Sequence, residues 1–263
     1  MSLIGFVSDK GSPGTTVGAQ AISAVWRADR RILLAELDPA GGDLAARFGL
    51  SPDPGVVQLA SAYRRALNPE VIWQHAQELP GGVNVLVGPA SAEQAFALGE
   101  VWGPLGMALA SMGRDTDVIA DCGRWGPTSG LLELLDKAAL VVVFARPTLE
   151  AVARLQARLA APLTNSPVAV VLVGDTPYSE AEVEAAIGIK VLGTLADDER
   201  AAGLLSGQPG SARALSHSAL IRSARPVAER IAAVASSRTS RHPAAPAQAD
   251  PSTKAVSTAG VVA

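Results

Sequence analysis

The chain has 263 residues, 48% hydrophobic and 18% charged, which supports a sizeable core and excludes a disordered chain. Aromatics are 4%, so the core is built from Ala, Val, Leu and Ile, and a net charge of −3 excludes a strongly basic nucleic-acid binder. One cysteine, Cys122, and three scattered histidines exclude a disulfide framework and a Cys/His metal cluster. No apolar run approaches the roughly 20 residues of a membrane span, and the N-terminus has no basic leader, so a cytoplasmic protein with no transmembrane segment is expected.

The first strand candidate is Leu3–Ser8. It runs straight into Ser8-Asp9-Lys10-Gly11-Ser12-Pro13-Gly14-Thr15-Thr16. A helix is expected over Thr16–Ala28, with Val17, Ala21, Ala24, Val25 and Ala28 on one face. Strand, Gly-rich loop and helix in succession are the physical form of a phosphate site. Small residues let several N–H groups point inward, and the helix N-terminus adds partial positive charge. A Thr in the first turn can set its hydroxyl on Mg²⁺. The same residues also read as an ordinary tight turn.

Further strand candidates follow at Ile32–Asp38, Val83–Val87, Asp117–Asp121, Leu140–Ala145, Val168–Val173 and Val191–Leu195. Most are continuous apolar runs, the pattern of strands covered on both faces. Helical patterns lie between them, including Thr148–Ala161 with Thr148 as N-cap. The rhythm predicts a mostly parallel sheet with helices on both sides. Leu215–Val234 reads as a final helix, broken or bent near Pro226. From Ser236 the composition turns to Ser, Pro, Ala, Thr and Gly, so residues 1–235 form the domain and 236–263 a disordered tail.

Charge is uneven along the chain. Residues 1–199 carry 14 Lys/Arg against 23 Asp/Glu, and residues 200–263 carry 8 against 2. The basic end suits an anionic partner or a solvated helix face equally. Cys122 ends an apolar strand and reads as a small buried hydrophobe. His75 reads as a helix-surface residue. Of the tryptophans, Trp125 is the one expected at a dimer or partner contact.

Taken together, these motifs resemble the MinD/ParA superfamily of P-loop ATPases, whose deviant Walker A loop reads Lys-Gly-Gly-x-Gly-Lys-Thr-Thr. Lys10, Gly11 and Gly14 match it, and Thr16 falls on its Mg²⁺-binding Thr. Thr15 replaces the usual P-loop lysine, Ser12 and Pro13 replace the Gly-x pair, and Val17 replaces the last Thr. The match is to a degenerate version, most like the actinobacterial MinD-like proteins and the pilus-assembly localisation factors CpaE and TadZ. Ile32–Pro39 resembles the family's second strand and switch I, Asp117–Gly123 its Walker B strand and switch II, and Val191–Asp198 its late segment near adenine.

The resemblance covers roughly residues 1–235 and implies a three-layer α/β/α P-loop NTPase fold. It implies ATP or ADP with Mg²⁺, held by the loop Lys10–Val17 and by Thr16 and Asp121 on the metal. It implies Asp38 as the residue orienting the attacking water. It also implies a homodimer in which Lys10 crosses to the partner's nucleotide. A positioning protein follows, serving a pilus or secretion apparatus, a septum or a chromosome, with slow or absent hydrolysis because a threonine brings no charge to the phosphates. Two alternatives stand beside it. One is a catalytically dead pseudo-ATPase scaffold. The other is a ParA-like DNA-partition ATPase with Arg213, Arg222, Arg225 and Arg230 on the DNA backbone.

Overall fold

In the computed structural model the described residues are 2–10, 13–62, 67–126, 130–160 and 164–239. The strands are β1 (Ser2–Ser8), β2 (Arg31–Glu36), β3 (Gln77–Glu78), β4 (Asn84–Leu86), β5 (Thr116–Arg124), β6 (Leu140–Ala145), β7 (Val168–Val173) and β8 (Val191–Leu195). After β1 comes α1 (Thr15–Ala24), and after β2 come α2 (Leu44–Phe48), α3 (Val56–Ala62) and α4 (Pro69–Gln74). Between β4 and β5 lie α5 (Ala92–Ala97) and α6 (Trp102–Leu109), and before β6 lies α7 (Leu131–Leu135). The remaining helices are α8 (Leu149–Leu159), α9 (Glu180–Ile187), α10 (Glu199–Leu205), α11 (Ala212–Ser216) and α12 (Ala219–Thr239).

The eight strands form one sheet in the order β3-β4-β2-β5-β1-β6-β7-β8. All pairs are parallel except β3 with β4. This is the three-layer α/β/α architecture with a mostly parallel central sheet expected from the sequence. The period of two along β1 sorts its side chains between two cores. Leu3 and Val7 join Trp102, Leu105, Leu134 and Leu155 on one face. Ile4 and Phe6 join Ile22, Leu44, Leu220 and Ile231 on the other. Burial on both faces explains why the strands read as unbroken apolar runs. Strand β1 lies between β5 and β6, so successive crossovers leave it in opposite directions. That switch point opens a crevice at the carboxyl ends of the strands, where α/β sheets take ligands.

Several boundaries differ from expectation. Helix α1 ends at Ala24 rather than Ala28. Beyond it the Trp26 indole N–H donates to Asp117 Oδ2 (3.2 Å), and the chain turns through Arg27–Arg30. Arg30 then clamps the same carboxylate with Nε (2.5 Å) and Nη2 (2.8 Å). The final helix is continuous through Pro226, and the expected break falls earlier, at His217 and Ser218. There Asp198 Oδ2 accepts the Ala219 N–H (3.0 Å) and fixes the start of α12. That helix runs to Thr239, past the composition change at Ser236, and residues 240–263 lie outside the described residues. Two features close the sheet's sides. Strand β3 has only two residues, both polar, and β8 carries a register irregularity against β7 between Val170 and Leu172.

Candidate functional site

The site begins where β1 ends. Asp9 accepts from Arg158 Nε (2.9 Å) and faces Arg154 Nε at 3.8 Å, so α8 ties down the start of the loop. Lys10 is exposed, Pro13 is buried, and Gly11 and Ser12 lie outside the described residues. Gly14 sits at φ 93°, a left-handed conformation open to glycine, and its carbonyl receives the Gly18 N–H (2.8 Å) to start α1. Thr15 is buried, and its Oγ1 has no hydrogen-bond partner among the described residues. The Thr16 side chain faces the Asp121 carboxyl and helps hold its pKa down. Val17, one turn into the helix, lines a cavity with Pro13, Gly14 and Gly18.

Three carboxylates converge beside that loop. Register places Glu36 of β2 opposite Asp121 of β5. Asp121 is 1% exposed, and burial pushes its pKa up to about 6. The nearby Thr16 side chain and a hydrogen bond from the Gly123 N–H oppose that rise, while Asp38 and Glu36 add to it. Asp38 is also raised, first by burial; the Ala40 N–H (2.8 Å) and Arg124 pull it down, and Asp43 pushes it up. Glu36 is buried and fully occupied by backbone. Its Oε1 accepts from the N–H groups of Asp43 (2.7 Å) and Leu44 (2.9 Å), and its Oε2 from Gly88 (3.0 Å). Gly123, at φ 58°, lets the end of β5 pass against Asp38, because a Cβ there would stand 2.0 Å from Asp38 Oδ2.

This donor set fits a hard divalent cation. Closely spaced buried carboxylates with raised pKa values are relieved by positive charge, and a hydroxyl with one carboxylate suits Mg²⁺ that keeps water or substrate oxygens. Among the described residues no group of three or more His, Cys, Asp or Glu side chains is arranged to hold a metal ion. The unpartnered Thr15 Oγ1 and the first N–H groups of α1 are the matching donors for an anion.

The late segment closes the opposite wall. After β8, the Ala196 N–H donates to Ser223 Oγ (2.9 Å). Asp197 pairs with Arg146, Nη1 to Oδ2 at 2.6 Å. Asp198 is spent on structure, accepting the Ala201 N–H at the start of α10 as well as that of Ala219. Two cavities flank Pro13. One, of about 100 Å³, is lined by Asp9, Lys10, Arg146 and Arg154; the other, of about 130 Å³, by Gly14, Val17, Arg146 and Asp197.

Some expectations are corrected. Trp125 is 2% exposed and cannot supply a partner contact. Its backbone N–H donates to the Ser8 carbonyl (2.7 Å), which carries the β1–β5 pairing past the strand end and sets the indole under α7. Arg230 Nη1 donates to the Leu192 carbonyl (3.1 Å) and Arg222 to the His217 carbonyl, so two of the four arginines weighed for DNA are bound to their own backbone. Cys122 is buried and its thiol is pushed up by burial, as a packed hydrophobe should be. His75 caps α4, with Nδ1 2.8 Å from the Val71 carbonyl. Sequence reasoning passed over Glu36, Asp9 and Arg146. Glu36 did leave a signal: a lone acid inside the apolar run Ile32–Leu37.

No family model matches the chain, and no curated protein matches it. Solved structures do. A ParA family ATPase from Chlorobium tepidum TLS superposes with TM-score 0.72 at 21% identity, covering 87% of this chain and 98% of that one. The septum site-determining protein MinD complexed with Mg-ADP, from Pyrococcus horikoshii OT3, gives 0.69 at 16% identity, covering 90% and 98%. Apo McdA from Cyanthece gives 0.61 at 14%, covering 88% and 99%. The chain has the fold of the ParA and MinD ATPases over nearly all of their length. Among the described residues no helix is long and apolar enough to cross a membrane.

Proposed function

We propose that this chain is a nucleotide-binding positioning protein of the MinD/ParA type. It binds ATP or ADP with Mg²⁺ and acts as a homodimer that recruits a protein partner of a pilus, secretion, septum or chromosome apparatus. It hydrolyses ATP slowly or not at all. One observation carries this reading: Thr16, in the first turn of the helix that follows the central strand, faces the buried Asp121 carboxyl, which also feels the charge of Asp38.

Thr16 and Asp121 would hold the metal, and Thr15, Gly14 and the first turn of α1 the phosphates. When bound, Mg²⁺ neutralises phosphate charge and fixes its orientation. Asp38, with its pKa raised by burial, would hold a water by hydrogen bonding. The residues that would stabilise transition-state charge are fewer than in a full P-loop. Thr15 offers a neutral hydrogen bond where a lysine would offer an ion. Lys10 is exposed and free to extend away from its own protomer.

Isothermal titration calorimetry with ATP and ADP, each with and without Mg²⁺, tests the reading. Heat that appears only with Mg²⁺ supports it, and no heat at millimolar nucleotide removes it. The scaffold alternative gains support from one observation, the Thr15 hydroxyl enclosed at the lysine's position. Binding without turnover would favour a switch operated by exchange; no binding at all would favour the scaffold.

A further inference from the structure

The cation missing from the loop has a candidate replacement at the end of the neighbouring strand. Strand β6 lies beside β1 with Phe144 opposite Ser8. Arg146 is two residues beyond Phe144, as Lys10 is two beyond Ser8, so both leave the sheet on the same shelf. Arg146 lines the cavities on both sides of Pro13, together with Lys10 in one and with Gly14 and Gly18 at the start of α1 in the other. Among the described residues its guanidinium pairs with Asp197 from the opposite wall, at 2.6 Å. The two side chains are 46% and 48% exposed, and a pair so open to water contributes little to stability.

We propose that Arg146 is the phosphate-binding cation of this site, in place of the lysine that Thr15 displaces, and that Asp197 holds it aside until a polyphosphate takes it. The inference rests on the nucleotide reading above and adds to it a residue and a regulation. A guanidinium matches phosphate in a bidentate, charge-assisted fork, stronger than its screened pairing with one exposed carboxylate. Asp197, left without its counter-ion, would repel the incoming anion. The empty site is therefore self-inhibited, and ligand must outcompete an internal carboxylate.

The test is calorimetry on the full chain with Mg·ATP and with inorganic tripolyphosphate. The variants are Arg146→Ala, Arg146→Gln, Asp197→Ala and the Arg146→Ala/Asp197→Ala pair, each checked by urea midpoint. Arg146→Ala and Arg146→Gln are expected to bind both ligands about tenfold more weakly or worse. Asp197→Ala is expected to bind several-fold more tightly, a gain that disappears in the double variant. A purely structural pair would lower the urea midpoint equally from either side and leave no such dependence. If wild type binds Mg·ATP and both Arg146 variants match it, the inference falls while the nucleotide reading stands. If Asp197→Ala binds where wild type does not, the inference holds. If neither binds either ligand, the inference and the nucleotide reading fall together.

Discussion

Replacing Asp121 by Asn should stabilise the ligand-free protein at neutral pH. The carboxyl is 1% exposed, and burial raises its pKa from the ordinary 3.8 to about 6. A carboxyl with a raised folded-state pKa supports folding while it keeps its proton. That support is complete below pH 3.8, where folded and unfolded chains are both protonated. It is lost as pH rises towards 6, because the unfolded chain ionises first. Above about 6 both forms are ionised and the loss is complete, about 3 kcal/mol at 1.36 kcal/mol per unit. Asparagine keeps the acceptor for the Gly123 N–H (3.2 Å to Oδ1) and carries no charge. Urea denaturation of wild type and Asp121→Asn between pH 4 and 7.5 reads the difference directly. The variant should gain on wild type by about 2 kcal/mol from pH 4 to pH 7, because part of the loss is already present at pH 4. A gap that does not change with pH, or a variant that loses ground as pH rises, would refute the argument. Mg²⁺ with ADP should reverse the order, since a bound cation favours the ionised Asp121.

Thr15→Lys should tighten ATP binding about tenfold, the difference between a charged and a neutral hydrogen bond, and should speed hydrolysis only when Asp38 is intact; calorimetry and phosphate release check both halves. Gly123→Ala should cost about 2 kcal/mol in urea, since it forces a side chain to φ 58° with its Cβ 2.0 Å from Asp38 Oδ2. Asp117→Ala should cost about 3 kcal/mol or more, because it strands the largely buried Arg30 guanidinium and the Trp26 indole N–H together. Light scattering should show a nucleotide-bound dimer for wild type and a shift to monomer for Lys10→Ala; a dimer indifferent to that change would place the interface away from the loop.

Much of the fold was legible because its strands are covered on both faces. Leu140–Ala145 and Val168–Val173 are apolar throughout and Val191–Leu195 is broken only by Gly193 and Thr194, and all three strands fall on those residues. Strand β3 was not legible: two polar residues at a sheet edge carry no periodicity, and only their pairing to Asn84 and Val85 defines them. Pro226 misled because its ring sits on the exposed side of α12, while the actual break is made by Asp198, a residue far away in sequence. In the site, Asp38 and Asp121 were legible as acids at strand ends. The uses of Glu36, Asp9 and Arg146 were not, because each is defined by a partner on a distant element: Gly88, Arg158 and Asp197. Trp125 reads as a loop residue from its neighbours, and only the Ser8 carbonyl that receives its backbone N–H sets it inside.

The sheet's two margins carry a further consequence. Exposed strand edges invite other chains to add on, the route to ordered aggregates. Here one margin is a two-residue antiparallel stub bearing Gln77 and Glu78. The other, β8, is bent out of register, holds Gly193 at φ 138°, and has its Leu192 carbonyl taken by Arg230. Neither offers a run of free backbone long enough to template a ninth strand. Concentrated protein should therefore resist fibril growth in thioflavin assays while it stays folded, and Arg230→Ala, which uncovers the Leu192 carbonyl, is the single change most suited to opening that route.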